Sequence, residues 1–409
     1  MQSDPQTTHS PQGGAATAGI FAPVLDSEKR PITAGGFVKS GPKVFIDISA
    51  QAGLTTWHHT MGTPQKASII ETTGSGVALL DYDNDGWMDI YLVNGSTYDA
   101  LSGKTTPPHA ALFHNNHDGT FTDVAVMAGC AYNEDGHEQA GMGVAVADYD
   151  CDGFFDIFKT NFVDDTCNLY HNNGDGTFTD VSSPSGIGVN NRYVAWGCGF
   201  LDFDNDGWPD LLQVNGHVYP EVDHYSFGEA YKNPRLVYRN LGNGRFKDVS
   251  AELGPGISER FSSRGAAFGD YNNNGCMDAL VLNLNDPPSL LRNEGGNQLN
   301  WIKIKLVGTH CNRTAIGARV RVITGKHIQM DEVASGGSVM SQNDLRLHFG
   351  LGKAETVDMI EVKWPTTQKL EHFPHIKANQ ILIIREGDGI IKPGQPQGQP
   401  HAKASATTA

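Results

Sequence analysis

Gly76-Val-Ala-Leu-Leu-Asp81-Tyr-Asp83-Asn-Asp85-Gly86-Trp87-Met-Asp89 decides the fold, because the chain repeats it. The same pattern returns at Gly143 to Asp156, Gly197 to Asp210 and Gly265 to Asp278, with first aspartates at 81, 148, 202 and 270. The intervals are 67, 54 and 68 residues, a period that marks a repeat architecture. An apolar run follows each copy, such as Ile90-Tyr-Leu-Val or Leu211-Leu-Gln-Val. A second turn follows, at His114-Asn-Asn-His-Asp-Gly119, His171-Asn-Asn-Gly-Asp-Gly176 and Asn240-Leu-Gly-Asn-Gly244. A short Phe-x-Asp-Val strand closes the unit at Phe121, Phe178 and Phe246. Each unit therefore reads as four short strands joined by Gly, Asn and Asp turns, without a 3.6-residue period, which is the pattern of a propeller blade.

The fourth unit ends at Leu290-Leu-Arg-Asn-Glu without its own Phe-x-Asp-Val strand, and a matching Phe45-Ile-Asp-Ile stands alone before the first. The N-terminal strand is expected to complete the last blade and close the ring, which removes exposed sheet edges. Trp301-Ile-Lys-Ile-Lys-Leu is the rival for that slot. Beyond it, Arg319-Val-Arg-Val, Leu345-Arg-Leu-His-Phe and Met359-Ile-Glu-Val-Lys-Trp predict a second, smaller β domain without aspartate loops. The expected organisation is a low-complexity tail over 1–39, an all-β propeller of four recognisable repeats over 40–297, a β-rich domain over 298–387, and a Pro/Gly/Gln-rich tail over 388–409.

Within each loop, side-chain oxygens recur at positions 1, 3, 5 and 9, with Gly at 6 for the sharp turn. A hard cation that takes six to eight oxygen ligands requires such a layout, and Ca²⁺ is the expected ion, up to four per chain. The first three loops offer Asp81, Asp83, Asp85, Asp89; Asp148, Asp150, Asp152, Asp156; and Asp202, Asp204, Asp206, Asp210. The fourth offers Asp270, Asn272, Asn274 and Asp278, and its lower charge predicts the weakest site. Position 7, occupied by Trp87, Phe154, Trp208 and Cys276, is expected to add its backbone carbonyl. Position 12 is Leu92, Lys159, Gln213 and Val281 rather than Glu, and strands follow, so these are not EF-hands. Ala78, Ala145, Gly199 and Ala267 suit innermost strands crowded around an axis, and Tyr82, Tyr149, Phe203 and Tyr271 suit the core between blades.

The 409 residues carry 46 acidic and 30 basic side chains, a formal charge of −16, which opposes nucleic-acid or anionic-lipid binding. Twelve of those acids lie in the first three loops and two in the fourth, so much of the acidity is a cation-site requirement. No run of 18 apolar residues is present, so no membrane span is expected. Met1-Gln-Ser-Asp-Pro shows no basic n-region, so an export signal is not visible, while calcium sites point to an extracellular or periplasmic compartment. Six cysteines form no CxxC motif, and their even number permits disulfides. The Asn94-Gly-Ser sequon lies in a repeat turn and is read as structural.

With these motifs, the chain resembles the integrin-like FG-GAP/VCBS repeat proteins of the CRTAC (cartilage acidic protein) and ASPIC/UnbV family. The repeats carry one half of the likeness. The other half is carried by Ile316-Gly-Ala-Arg-Val-Arg-Val, Glu332-Val-Ala-Ser-Gly-Gly-Ser, Ser341-Gln-Asn-Asp-Leu-Arg-Leu-His-Phe-Gly-Leu-Gly and Val357-Asp-Met-Ile-Glu-Val-Lys-Trp-Pro. The resemblance implies a calcium-binding propeller, usually exported, with the UnbV domain packed on it. The expected role is a calcium-rigidified module for adhesion, matrix or self-assembly that binds a protein or glycan ligand, or its own copies through the tails. No HExxH or GxSxG motif is present, so no catalytic residue is assigned. The alternative, by analogy with relatives in secondary metabolism, is an enzyme using the axial funnel, with Glu71, Glu138, Arg192 and Arg260 equivalent in register and His58, His59 or His217 nearby.

Overall fold

The computed structural model describes residues 46–63, 71, 76–224 and 230–392. Residues 1–48 and 49–409 form separate compact units. Of the first unit only residues 46–48 are described, outside any strand, and every described sheet belongs to the second.

Four sheets follow the repeats. The first is β1 (Val77–Leu80), β2 (Asp89–Leu92), β3 (Ala111–Asn115) and β4 (Phe121–Asp123), and the second is β5 (Gly141–Ala147), β6 (Asp156–Asn161), β7 (Asn168–Asn172) and β8 (Phe178–Asp180). The third is β9 (Ala195–Leu201), β10 (Asp210–Asn215), β11 (Leu236–Asn240) and β12 (Phe246–Asp248). The fourth has three strands, β13 (Ser263–Gly269), β14 (Asp278–Asn283) and β15 (Ser289–Leu291). All pairings within these sheets are antiparallel and sequential. The registers Leu80↔Asp89, Ala147↔Asp156, Leu201↔Asp210 and Gly269↔Asp278 make every aspartate loop the connection of the first hairpin, with position 9 opening the second strand.

Consecutive sheets enclose three cores. Tyr91, Leu112, Val144, Ile157 and Tyr170 fill the first, Phe158, Leu169, Leu211 and Tyr238 the second, and Val214, Val237, Ala266 and Val281 the third. The loop aromatics extend these cores: Tyr82 lies 5.9 Å from Phe178 of the next sheet and Tyr149 5.5 Å from Phe246. Tyr271 departs from expectation, being 52% exposed, because among the described residues no further repeat sheet follows the fourth to cover it. Val77 and Leu79 on β1 and Leu280 and Leu282 on β14 are exposed at the two ends of the row for the same reason. One-turn helices after β4 (Ala125–Ala128) and β8 (Ser182–Ser185) are too short to have shown a helical period.

The remaining strands form two facing sheets. One orders β19 (Leu347–Gly352), β16 (Asn300–Val307), β22 (Gln380–Arg385) and β23 (Gly389–Ile391), with β16 and β22 parallel. The other orders β18 (His327–Glu332), β17 (Arg319–Thr324), β20 (Thr356–Lys363) and β21 (Leu370–Lys377). Ile302, Ile304, Val320, Val322, Phe349 and Trp364 are among the side chains that close a dry core between them. Trp301 and its neighbours therefore belong to β16, paired with β19 and β22, and do not complete the fourth sheet. Of the expected closing strand, Phe45 lies outside the described residues and 46–48 form no strand. The tail over 1–39 and the residues after 392 also lie outside them, whereas Gly389–Ile391, at the start of the expected C-terminal tail, pair with β22 as β23. No disulfide joins the six cysteines, four of which are buried.

Candidate metal centres

The four loops share one hydrogen-bond scheme. Position 1 takes the amide of Gly at position 6, as in Gly86 N to Asp81 Oδ2 at 3.0 Å, Gly153 N to Asp148 Oδ2 at 3.1 Å and Gly207 N to Asp202 Oδ2 at 2.8 Å. Position 5 accepts from position 7, with Trp87 N to Asp85 Oδ1 at 2.7 Å, Phe154 N to Asp152 Oδ1 at 2.9 Å and Trp208 N to Asp206 Oδ1 at 3.0 Å. Position 9 accepts from position 2 and from the end of the third strand or just beyond it, where Asn115, Asn172, Asn240 and Asn293 donate their amides to Asp89, Asp156, Asp210 and Asp278. These short-range bonds turn the carboxylates of one loop toward a common centre. Ligand oxygens of Asp81, Asp83 and Asp85 lie within 4.8 Å of one another, as do those of Asp148, Asp150 and Asp152, and of Asp202, Asp204 and Asp206.

Burial, with crowding, shifts several of these carboxyls upward. Burial, then Asp156, Asp152 and Asp150, push the Asp148 carboxyl up to about 8. Burial also raises Asp89 and Asp156 to about 7 and takes Asp202 and Asp210 well above the ordinary carboxylate range. A bound cation would balance a site that disfavours its own anions in this way. One further observation fits a metal: Asp81 Oδ1, Asp150 Oδ1 and Asp204 Oδ1, one in each of the first three loops, are buried without a hydrogen-bond partner. Carboxylate oxygens are the donor chemistry of Ca²⁺, so the residues present fit that ion.

Other residues reach the loops that the motif alone did not flag. His114, on β3, places Nδ1 3.4 Å from Asp83 Oδ2, and His171, on β7, places Nδ1 3.3 Å from both Asp150 Oδ2 and Asp156 Oδ1. Arg239, on β11, meets Asp204 Oδ2 at 2.7 Å. These three positions are equivalent; aligning Arg239-Asn240 with His114-Asn115 shows it in the sequence. The following asparagine stitches sheets together, since Asn172 Nδ2 donates to Tyr82 O at 2.7 Å, Asn240 Nδ2 to Tyr149 O at 2.8 Å and Asn293 Nδ2 to Phe203 O at 2.6 Å. From the C-terminal sheets, Arg319 reaches Asp81 Oδ2 at 3.2 Å, His327 the Gly207 carbonyl at 2.8 Å and Lys303 Asp270 Oδ2 at 2.7 Å. Asn94 is buried, donating Nδ2 to His109 O at 2.9 Å, as its structural reading requires.

The four residues equivalent in register divide by burial. Glu71 and Glu138 are buried, accepting from Thr63 and Ser96, whereas Arg192 and Arg260 are exposed. The innermost strands are instead covered by the loop between β18 and β19. Ser338 pairs with Val144 and its Oγ accepts from Cys198 N at 3.0 Å; Asn343 Oδ1 accepts from Phe268 N at 3.0 Å. Gly143 and Gly265 allow that approach, because a Cβ on either would meet Val339 at 3.1 or 3.2 Å.

Two protein families match this chain. The FG-GAP-like repeat matches residues 81–158, 162–212 and 226–281, and ASPIC and UnbV matches residues 308–391. Cartilage acidic protein 1 of Homo sapiens is 30% identical over 284 residues, 67% of this chain and 40% of its own length. The Xenopus tropicalis protein of that name is 29% identical over 323 residues, 74% of this chain and 45% of its own. The chain thus spans less than half the length of the curated relatives it matches. Among solved structures, an Agrocybe aegerita lectin is 17% identical with a TM-score of 0.24, over 56% of this chain and 70% of its own, a likeness too slight to bear on ligand or fold.

Proposed function

Because this chain belongs to the family that combines FG-GAP-like repeats with an ASPIC and UnbV domain, we propose that it is an extracellular module whose blade-like sheets are rigidified by calcium. The observation that carries this reading is the partnerless buried carboxylate oxygen in each of the first three loops. Asp81, Asp83, Asp85 and Asp89, with the Trp87 carbonyl, would hold one ion; Asp148, Asp150, Asp152 and Asp156, with the Phe154 carbonyl, a second; and Asp202, Asp204, Asp206 and Asp210, with the Trp208 carbonyl, a third. When bound, calcium supplies the positive charge that lets these carboxylates ionise while buried. The chain's own residues do the rest: Gly at position 6 makes the turn, the position-9 aspartate ties the loop to the third strand, and the asparagine there ties it to the preceding sheet. A rigid array of hairpins then presents its outer loops to a protein or glycan ligand, in adhesion or assembly.

A melt of the full chain with calcium and with EDTA tests the metal. A site loaded at about 100 times its Kd adds about 2.7 kcal/mol, so several sites raise the midpoint by many degrees. An unchanged midpoint would refute the calcium reading. Light scattering of the calcium-loaded chain checks the assembly role: a single monomeric mass across concentrations rules out self-association and leaves a heterologous ligand.

A further inference from the structure

The fourth aspartate loop differs from the other three in what faces it. Positions 3 and 5 are Asn272 and Asn274, leaving Asp270 and Asp278 as its only acids. Lys303, on β16, sets Nζ 2.7 Å from Asp270 Oδ2, and the two side chains are 1% and 0% exposed. Arg346, just before β19, adds Nη2 to the Asp270 carbonyl at 3.0 Å and Nη1 to Asn273 Oδ1 at 2.5 Å, while pairing with Asp344. Both oxygens of each acid are satisfied within the chain. Asp270 Oδ1 accepts from Asn274 N at 3.1 Å and Oδ2 from Gly275 N at 2.9 Å as well as from Lys303, and Asp278 accepts from Asn293 N at 2.8 Å and Tyr271 N at 3.3 Å. Asn274 Oδ1 takes Cys276 N at 2.9 Å. The buried partnerless oxygen that marks each of the first three loops has no counterpart here.

We propose that Lys303 is the resident cation of the fourth loop, so that this loop is complete without a divalent ion and the chain takes three calcium ions rather than four. The inference rests on the calcium reading of the first three loops. Charge carries it: two carboxylates against one buried ammonium leave a net −1, whereas each of the first three loops supplies four carboxylates, and calcium affinity follows ligand charge. Lys303 also repels an incoming divalent ion at short range in a buried setting, where such repulsion is weakly screened. Arg319 does not do the same to the first loop. It lies 3.2 Å from Asp81 Oδ2 but shares its charge with Glu332 at 3.3 Å, and Asp81 Oδ1 remains without a partner. At the third loop Arg239 is 43% exposed, is divided between Asp204 and Asp206, and likewise leaves Asp204 Oδ1 without a partner. The fourth sheet is therefore pinned to β16 at any calcium concentration, while the first three loops respond to the ion.

The test is a calcium titration of the EDTA-stripped full chain, with bound ions counted by native mass spectrometry. Three ions per chain are expected. Four would overturn the proposal and leave the calcium reading standing; none would overturn that reading and this proposal with it. Lys303→Met should bind one ion more than wild type, and a folded variant that stays at three would refute the ammonium's role. Should that variant not fold, Asp270→Asn decides: with Lys303 as the cation it keeps all three ions and melts earlier, whereas loss of one ion identifies Asp270 as a calcium ligand.

Discussion

Position 4 of every aspartate loop is left-handed: Asn84, Cys151, Asn205 and Asn273 have φ of 62°, 59°, 59° and 60°. Asparagine tolerates that conformation better than other residues with a Cβ, and here it also reaches the next loop. Asn84 Nδ2 donates to Gly153 O at 3.0 Å and Asn205 Nδ2 to Gly275 O at 2.9 Å. Cys151 stands at the equivalent place with Sγ 4.0 Å from Gly207 O, a weak substitute. Cys151→Asn is expected to stabilise the chain by about 1–2 kcal/mol, from relieved backbone strain and one better hydrogen bond, raising Tm by about 1–3 °C in a thermal melt. The aspartates of these loops were legible in the sequence because their spacing is local and repeated four times. Lys303 and Arg319 were not, since nothing in their neighbourhood of the chain marks a side chain whose partner lies 33 or 238 residues away.

At the scale of strands and loops, the hairpins of the repeats were readable because alternation and Gly/Asn turns are short-range. The pairing of the C-terminal strands was not: β16 lies parallel to β22, with Ile302 opposite Gln380, a register that only the assembled core sets. Glu386, just past β22, fastens that pairing. Its Oε2 accepts from the amides of Thr309, His310 and Cys311 at 2.9, 2.8 and 3.0 Å, clasping the turn after β16. Burial works against the charge, but the three amides outweigh it and hold the carboxyl down at about 2 against an ordinary 4.5. A depressed folded-state value contributes stability that is complete above pH 4.5 and lost as pH falls toward 2. The stability difference between wild type and Glu386→Gln, followed by denaturant titration, should therefore be largest at neutral pH and shrink through that window; a difference independent of pH would refute the clasp.

Across the whole second unit, the C-terminal sheets are an integral part of the repeats rather than an appendage. They touch the first loop through Arg319, the third through His327 and the fourth through Lys303, and their β18–β19 loop lies on β5, β9 and β13. Replacing residues 335–344 with a shorter Gly/Ser linker should lower the melting midpoint while leaving the calcium count unchanged, because no loop aspartate is removed; an unchanged midpoint would show that the contact contributes nothing. The same contact orders events in time. Synthesis proceeds from the N-terminus, so the Cys198 amide emerges 140 residues ahead of the Ser338 hydroxyl that satisfies it, and the Phe268 amide 75 ahead of Asn343. Until that late segment arrives, the inner strands present open donors to any passing strand. Contacts of such long sequence separation form slowly. The nascent chain thus passes through a stage in which its repeats are built but unsealed, until residues 338–343 reach β5, β9 and β13.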